Sequence, residues 1–152
     1  MRMFFARLPV ACVLATAVIL AGCGDNKGAS SKDSSNGSTG VDFQQAKDDL
    51  MRIGIAFHNC NDALARGPKD AQELAPYLEN DTRIVNQLKP GGKYIFHWGL
   101  SIRTMTQGTS NTILAYLKDP VSPGKYLVVM GDGAPRTLDE ADFKQKLKAQ
   151  GK

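Results

Sequence analysis

One stripe of apolar residues most constrains what this chain can fold into. From position 43 to 64 its members recur at spacings of 3, 4, 3, 4, 3 and 4 residues: Phe43, Ala46, Leu50, Ile53, Phe57, Cys60 and Leu64. This is the spacing of one helix face, and such a face is buried against another layer of structure. Asp42 with Gln45 can cap the start of the helix, and Gly67-Pro68 is expected to end it.

The pattern after position 90 changes to that of β-strands. Segments 93–100, 111–117 and 125–130 are rich in β-branched and aromatic residues and are bounded by Gly or Pro. Asp132-Gly133 is a strong signal for a tight turn, from which a short strand at 136–138 would return. These segments predict a small antiparallel sheet.

Two shorter helices complete the predicted layout. Asp70 and Glu73 form a capping-box pattern, which predicts a helix from Asp70 to Leu78. Thr137 with Glu140 has the same pattern and predicts the start of a last helix that runs to about position 150. A long helix, an antiparallel sheet and a terminal helix make an α+β fold.

The N-terminal region has the composition of an export signal. Arg2 and Arg7 precede an apolar run that closes on the small residues of Leu-Ala-Gly at 20–22, directly before Cys23. The run is shorter than the roughly 20 apolar residues of a transmembrane helix, so a cleaved signal peptide over 1–22 is predicted. Its ending resembles the lipobox of bacterial lipoproteins. The resemblance implies that Cys23 carries a diacylglycerol anchor and palmitate-type acyl chains; a plain secretory signal is the alternative.

A tether and one domain are expected after the signal peptide. Residues 24–40 contain four Gly and five Ser, a composition that behaves as a flexible coil, so 23–40 would be the lipidated cysteine and its linker. The 112 residues of 41–152 suffice for one modest core. Loss of 1–22 lowers the formal charge from +4 to +2, which argues against a nucleic-acid partner.

The long helix also carries a family resemblance. Its stretch DLMRIGIAFHNCNDALARGP (49–68) is similar to a segment of a large bacterial family of pseudopilin-like proteins, a domain of unknown function sometimes labelled solute-binding-like. The matching residues are Leu50, Ile53, Gly54, Ala56, His58, Asn59, Asp62, Ala63, Gly67 and Pro68. The resemblance implies a truncated pilin-like fold, without the N-terminal pilin stem, and no established reaction. Cys60 and Asn61 stand where the family often has tyrosine and histidine.

His58, Cys60 and Asp62 could suggest a metal site, but helical geometry separates them. Residues two apart on a helix face different directions, so Cys60 belongs to the apolar stripe whereas His58 does not. His58 and Asp62 are four apart, and a hydrogen bond between them is expected. Cys60 is expected to be a buried thiol, with a disulfide-linked dimer as the alternative. No metal site and no cofactor are predicted.

Two further pairs are candidate sites. Met51 and Ile55 lie away from the main stripe and are either covered by another segment or form a partner-binding face. His97 and Trp98 could line a ligand pocket, although a lone tryptophan is usually structural. Gly54 is expected to allow close approach of another backbone.

No catalytic residue is predicted, because motifs for nucleophilic, metalloprotease or phosphate-binding chemistry are absent from the sequence. The leading hypothesis is a non-catalytic, lipid-anchored cell-envelope protein that faces the periplasm or the cell surface and acts by binding another protein. The alternative is a lipid-anchored solute-binding module. Inner or outer membrane is left open.

Overall fold

The computed structural model describes residues 42–151. The predicted signal peptide, the lipidated Cys23 and the linker lie outside the described residues, as do Val41 and Lys152. The fold is α+β, as predicted: a long helix packs on a four-stranded antiparallel sheet, and a short helix follows the sheet. Within 42–151 no helix combines the length and hydropathy needed to cross a membrane.

Helix α1 (Phe43–Leu64) forms where the apolar stripe predicts it. The carboxylate of Asp42 caps it by accepting from the backbone N–H of Gln44 and Gln45, at 3.1 and 3.3 Å. The five central stripe residues are fully buried, whereas Phe43 and Leu64 at the two ends are exposed, because the helix extends beyond the sheet that covers its middle. The helix stops at Ala65, in the left-handed region at φ 54°, before the predicted Gly67-Pro68.

Three short helical segments follow: α2 (Ala71–Leu74), a 3₁₀ turn (Ala75–Leu78) and α3 (Thr82–Gln87). Asp70 caps α2 as predicted, with 2.9 Å bonds from the N–H groups of Gln72 and Glu73. Pro76 lies in the 3₁₀ turn, where its missing N–H ends the α-helical hydrogen-bond pattern. The sequence did not predict α3, because its six residues are too few to show helical periodicity.

The sheet consists of β1 (Tyr94–Phe96), β2 (Ile113–Leu117), β3 (Lys125–Met130) and β4 (Pro135–Asp139), in the spatial order β1-β2-β3-β4. The predicted hairpin turn joins β3 to β4, and Gly133 takes the positive φ of 80° that the turn requires. β1 is much shorter than the predicted 93–100, because the chain turns at Gly99, also at positive φ.

Helix α4 (Glu140–Ala149) starts after Asp139. The predicted cap at Thr137 is wrong: Thr137 lies inside β4, paired with Leu127, so its backbone belongs to the sheet. Residues 137–140 fit both a short strand with alternating side chains and a capping box. The pairing of Thr137 with Leu127 of β3 makes Thr137 part of the strand.

The sheet is buried on both faces. Alternate residues of β3 point in opposite directions, so that Leu127 and Val129 pack with α1, whereas Val128 and Met130 pack with Phe143 of α4. A bulge between Ile113 and Ala115 breaks this alternation in β2 and places two consecutive residues in the α1 core. The result is a three-layer arrangement of helix, sheet and helix.

Candidate functional site

Helix α1 places His58, Cys60 and Asp62 in different surroundings. Cys60 is fully buried in the core beneath α1, and burial, followed by the charge of Glu73, raises the pKa of its thiol. Asp62 is exposed. Within residues 42–151 no group of three His, Cys, Asp or Glu side chains is arranged to hold a metal ion.

The burial of Cys60 leads to a first prediction. A thiol that is buried and held in its neutral form reacts slowly, because the thiolate is the nucleophile. Iodoacetamide should therefore leave Cys60 unmodified in the native chain and alkylate it when the chain is unfolded in about 8 M urea. Peptide mapping by mass spectrometry distinguishes Cys60 from the other cysteines. Rapid native alkylation, or a disulfide dimer through Cys60, would contradict the buried position.

His58 does not form the predicted hydrogen bond with Asp62. Its ring turns towards the β3–β4 hairpin, where Nε2 lies 3.5 Å from the place a Cβ on Gly133 would occupy. The ring meets Phe57 edge-on, with centroids 5.5 Å apart. Nε2 is buried and finds no hydrogen-bond partner among the described residues. The packing of the hairpin against α1 therefore overrides the local i,i+4 pairing.

This unpartnered atom leads to a second prediction. A buried polar atom without a partner costs about 1–3 kcal/mol, so replacing it with an apolar group removes that cost. We expect His58→Leu to leave the free energy of unfolding unchanged or to raise it by about 1 kcal/mol. The matched change Tyr94→Phe, which removes a bonded hydroxyl, should lower it. Urea denaturation of both variants measures the difference, and a clear loss of stability in His58→Leu would show that Nε2 does have a structural partner.

Met51 and Ile55 are both exposed, at 43% and 53% of their accessible surface. They lie one turn apart on the side of α1 that faces away from the sheet. Beside Ile55 is a depression of about 200 Å³, whose floor and rim include Arg52, Asn59 and Tyr77. We call Met51, Ile55 and this depression the outer α1 face. No segment within residues 42–151 covers it.

The rim of the outer α1 face is polar and held in place. Arg52 donates to the Asp81 carboxylate at 2.7 Å and lies 4.0 Å from the Glu79 carboxylate, so its guanidinium is anchored beside the apolar centre. Glu79 is 90% exposed at its side chain and adds a negative charge. An apolar centre with a charged rim is the composition of a protein-binding surface.

His97 and Trp98 do not share a pocket. His97 points to the α4 side of the sheet, where its ring packs edge-on against Tyr116 and its Nδ1 lies 3.4 Å from the Gln150 amide nitrogen. Trp98 lies on the α1 side and stacks on Phe96, with centroids 4.2 Å apart. Neighbouring residues in an extended chain face opposite directions, which separates the two rings.

Trp98 does line an open groove. The groove has a volume of about 530 Å³ and is bounded by α2 on one side and by the loop after α3 on the other, with Leu88, Lys89 and Pro90 in the loop wall. Leu88 is buried in the core, whereas Lys89 and Pro90 are exposed. The sequence indicated Trp98 but not its companions, which come from a segment whose structure was not predicted.

A buried carboxylate that the sequence analysis missed organises the segments beside this groove. Asp49 of α1 accepts two hydrogen bonds from Arg83 of α3, at 2.6 and 2.7 Å, and one from the Tyr94 hydroxyl at 2.7 Å. Gln45 adds a bond at 2.9 Å. Burial raises the pKa of Asp49, but the bonds from Arg83, Tyr94 and Gln45 outweigh it and lower the pKa to about 2. Asp49 therefore ties α1 to α3 and β1 as a charged group.

A second ion pair fixes the start of α2. The Glu73 carboxylate accepts two bonds from Arg66, at 2.8 and 2.9 Å, and one from the backbone N–H of Lys69 at 3.0 Å. The Arg66 bonds, and then the Lys69 N–H, lower the pKa of Glu73 to about 2. Glu73 thus does not close the predicted capping box with Asp70, because Arg66 attracts its carboxylate.

Comparison of the chain with protein-family models, curated proteins and solved structures finds no match. The pseudopilin-like relationship therefore stays a prediction from residues 49–68. The candidate sites rest on the geometry of the described residues alone.

Proposed function

We propose that the chain is a non-catalytic, lipid-anchored cell-envelope protein that acts by binding another protein through the outer α1 face. The observation that carries the proposal is the exposure of Met51 and Ile55 side by side in the middle of α1, opposite the buried central residues of its apolar stripe. An exposed apolar pair beside a depression with a charged rim favours a partner surface. The partner would present an apolar side chain to the depression and a polar group to Arg52.

The lipid anchor in this proposal rests on the sequence around Cys23. A diacylglycerol with a further acyl chain would hold the domain stably at a membrane, since more than one chain is needed for a stable anchor. Metabolic labelling with a palmitate analogue tests it: the label should enter the chain and be lost in Cys23→Ser. Equal labelling of both forms, or none of either, would reject the anchor.

The binding face is tested by photo-crosslinking in native membranes. A crosslinking amino acid at position 55 should give a discrete adduct, and Met51→Glu should abolish that adduct without changing the melting temperature. The same amino acid at Lys148, exposed on α4, serves as the control and should give no adduct. The proposal fails if only monomer is found, if position 148 gives the same adduct, or if Met51→Glu has no effect.

The second hypothesis, a solute-binding module, assumed that His97 and Trp98 line one pocket. The two side chains face opposite sides of the sheet and do not form such a pocket. The groove at Trp98 is the candidate ligand site for this hypothesis, since a concave apolar surface of this size suits a small ligand.

A further inference from the structure

The two edges of the sheet differ in how well they are protected. The edge strand β4 contains Pro135, Arg136 and Asp139, and Asp139 forms an ion pair with Lys125 of β3. Proline and charged side chains are the usual means of preventing another strand from adding to an edge. The opposite edge strand, β1, is Tyr-Ile-Phe and has neither.

The register of β1 shows which of its backbone groups face the open edge. Lys118 donates its N–H to the Lys93 carbonyl at 2.8 Å, and His97 donates its N–H to the Leu114 carbonyl at 2.9 Å. In an antiparallel ladder the bonded residues alternate, so Lys93, Ile95 and His97 bond towards β2. The N–H and C=O groups of Tyr94 and Phe96 consequently point away from the sheet.

A second cavity, of about 160 Å³, runs along this edge. Its lining includes β1 itself, Trp98 and the loop Leu88–Gly91, and it shares Leu88, Lys89, Pro90 and Trp98 with the 530 Å³ groove. The two cavities therefore adjoin, and together they pass from the β1 edge to α2. We call them the edge groove. Its apolar wall is fixed, because Trp98 is stacked on Phe96 and Leu88 is held in the core.

The charge at the β1 end of the edge groove is positive. Lys89 is exposed, and Lys93, the residue before β1, lies 3.7 Å from the Asp49 carboxylate, which is also bonded to Arg83. Among the described residues that line the groove, the acidic one is Asp70, which lies at the α2 end and caps that helix. An extended chain lying in the groove would thus meet lysines beside β1 and apolar surface at Trp98.

We propose that the edge groove binds an extended peptide segment of a partner protein as an added strand of the sheet. The peptide backbone would bond to Tyr94 and Phe96, one apolar side chain would enter the groove at Trp98, and an acidic side chain would lie beside Lys89 and Lys93. Main-chain bonds supply affinity and alternate side-chain pockets supply selectivity in this mode of binding. The site is separate from the outer α1 face, so either can fail without the other.

A partner peptide fits this edge better than a second copy of the chain. Two β1 edges related by a two-fold axis would bring two Leu88–Gly91 loops and two pairs of lysines to the same place, and like charges brought together oppose pairing. A peptide brings neither the loop nor the positive charge.

The test uses a phage-displayed library of random heptapeptides, panned on the purified full-length chain. The enriched peptide is synthesised in two forms, with free backbone N–H groups and with N-methyl groups at alternate residues. We expect the enriched peptide to carry apolar residues at alternate positions together with an acidic residue. Its binding should slow hydrogen exchange at the amides of Tyr94 and Phe96, and N-methylation of the peptide should abolish binding. Trp98→Ala should weaken binding about tenfold or more, as loss of a buried tryptophan contact usually does.

Charge is tested with a matched pair of variants. Lys89→Ala should weaken binding in low salt, whereas Lys148→Ala, which removes a lysine from α4, should not. Because Trp98→Ala could also destabilise the core, its melting temperature is measured, and the N-methyl peptide provides the same test without altering the protein.

Five results would overturn the proposal. Three of them concern binding: no enrichment over the Trp98→Ala protein, equal binding of the N-methyl peptide, and binding of small apolar solutes alone. The other two concern protection of the Tyr94 and Phe96 amides without any peptide. Protection that depends on concentration would indicate a second copy, and protection that is lost when residues 24–40 are deleted would indicate that this chain's own linker is the occupant.

Discussion

Gly54→Ala is expected to lower the free energy of unfolding by about 3 kcal/mol, because an added methyl group would force apart two packed backbones. A Cβ at this position would lie 2.9 Å from both Cα and the carbonyl oxygen of Gly133, and 3.0 Å from a Val129 methyl group. Backbone atoms cannot move aside as a side chain can. Alanine would also favour the helix by up to about 1 kcal/mol over glycine, and we expect the clash to exceed that gain.

The control for this prediction is Asn59→Ala on the exposed side of the same helix. It gives a smaller gain in helix propensity and makes no contact with the sheet, so it should change stability by no more than about 0.5 kcal/mol. Urea denaturation measures both variants. A Gly54→Ala protein as stable as the unaltered chain would mean that α1 and the hairpin do not approach as closely as the structure indicates.

Asp49→Asn should be the second strongly destabilising change, by about 3 kcal/mol at neutral pH. The Asp49 side chain is 1% exposed, whereas that of Arg83 is 46% exposed and can turn to solvent. Most of the lost stability therefore comes from the buried groups that lose the carboxylate, chiefly the Tyr94 hydroxyl. An amide keeps the shape of the carboxylate but presents N–H groups to the donors of Arg83. The neighbouring change Asp48→Asn should have little effect, because within residues 42–151 the Asp48 carboxylate accepts a side-chain bond from Gln44 alone.

The same carboxylate predicts a pH dependence. The pKa of Asp49 falls from 3.8 to about 2 on folding, so its contribution to stability is fully present above about pH 4 and is lost as the pH falls towards 2. The shift corresponds to about 2 kcal/mol. Urea denaturation between pH 7 and pH 2 should therefore show a steeper acid loss in the unaltered chain than in Asp49→Asn. Parallel curves for the two proteins would show that Asp49 is not ion-paired in the folded state.

The predictable part of the fold came from local patterns. The stripe from Phe43 to Leu64 predicts both α1 and the inward direction of Cys60, because a helix repeats within a few residues. Asp132-Gly133 predicts the hairpin for a similar reason, since the turn depends on two residues. The prediction that Gly54 admits another backbone is confirmed, with Gly133 as its neighbour.

The candidate sites were less predictable, because each depends on segments that are distant in sequence. Asp49 looks like an ordinary helix residue until Arg83 and Tyr94, 34 and 45 positions away, reach it. His58 has an acceptable partner at Asp62, yet the hairpin takes its ring elsewhere. Trp98 becomes a groove wall only because α3 and the loop after it fold alongside β1.

The sequence by itself determined the α+β order, the long helix, the tight turn and the position of Met51 and Ile55 away from the buried stripe, since hydrophobic period and turn chemistry are properties of neighbouring residues. Only the tertiary structure decided that Asp49 is buried and ionised, that His97 and Trp98 are separated by the sheet, and that β1 is an unprotected edge beside a groove. Burial and pairing are relations between segments, and they exist only once α1, α3 and the sheet have packed together.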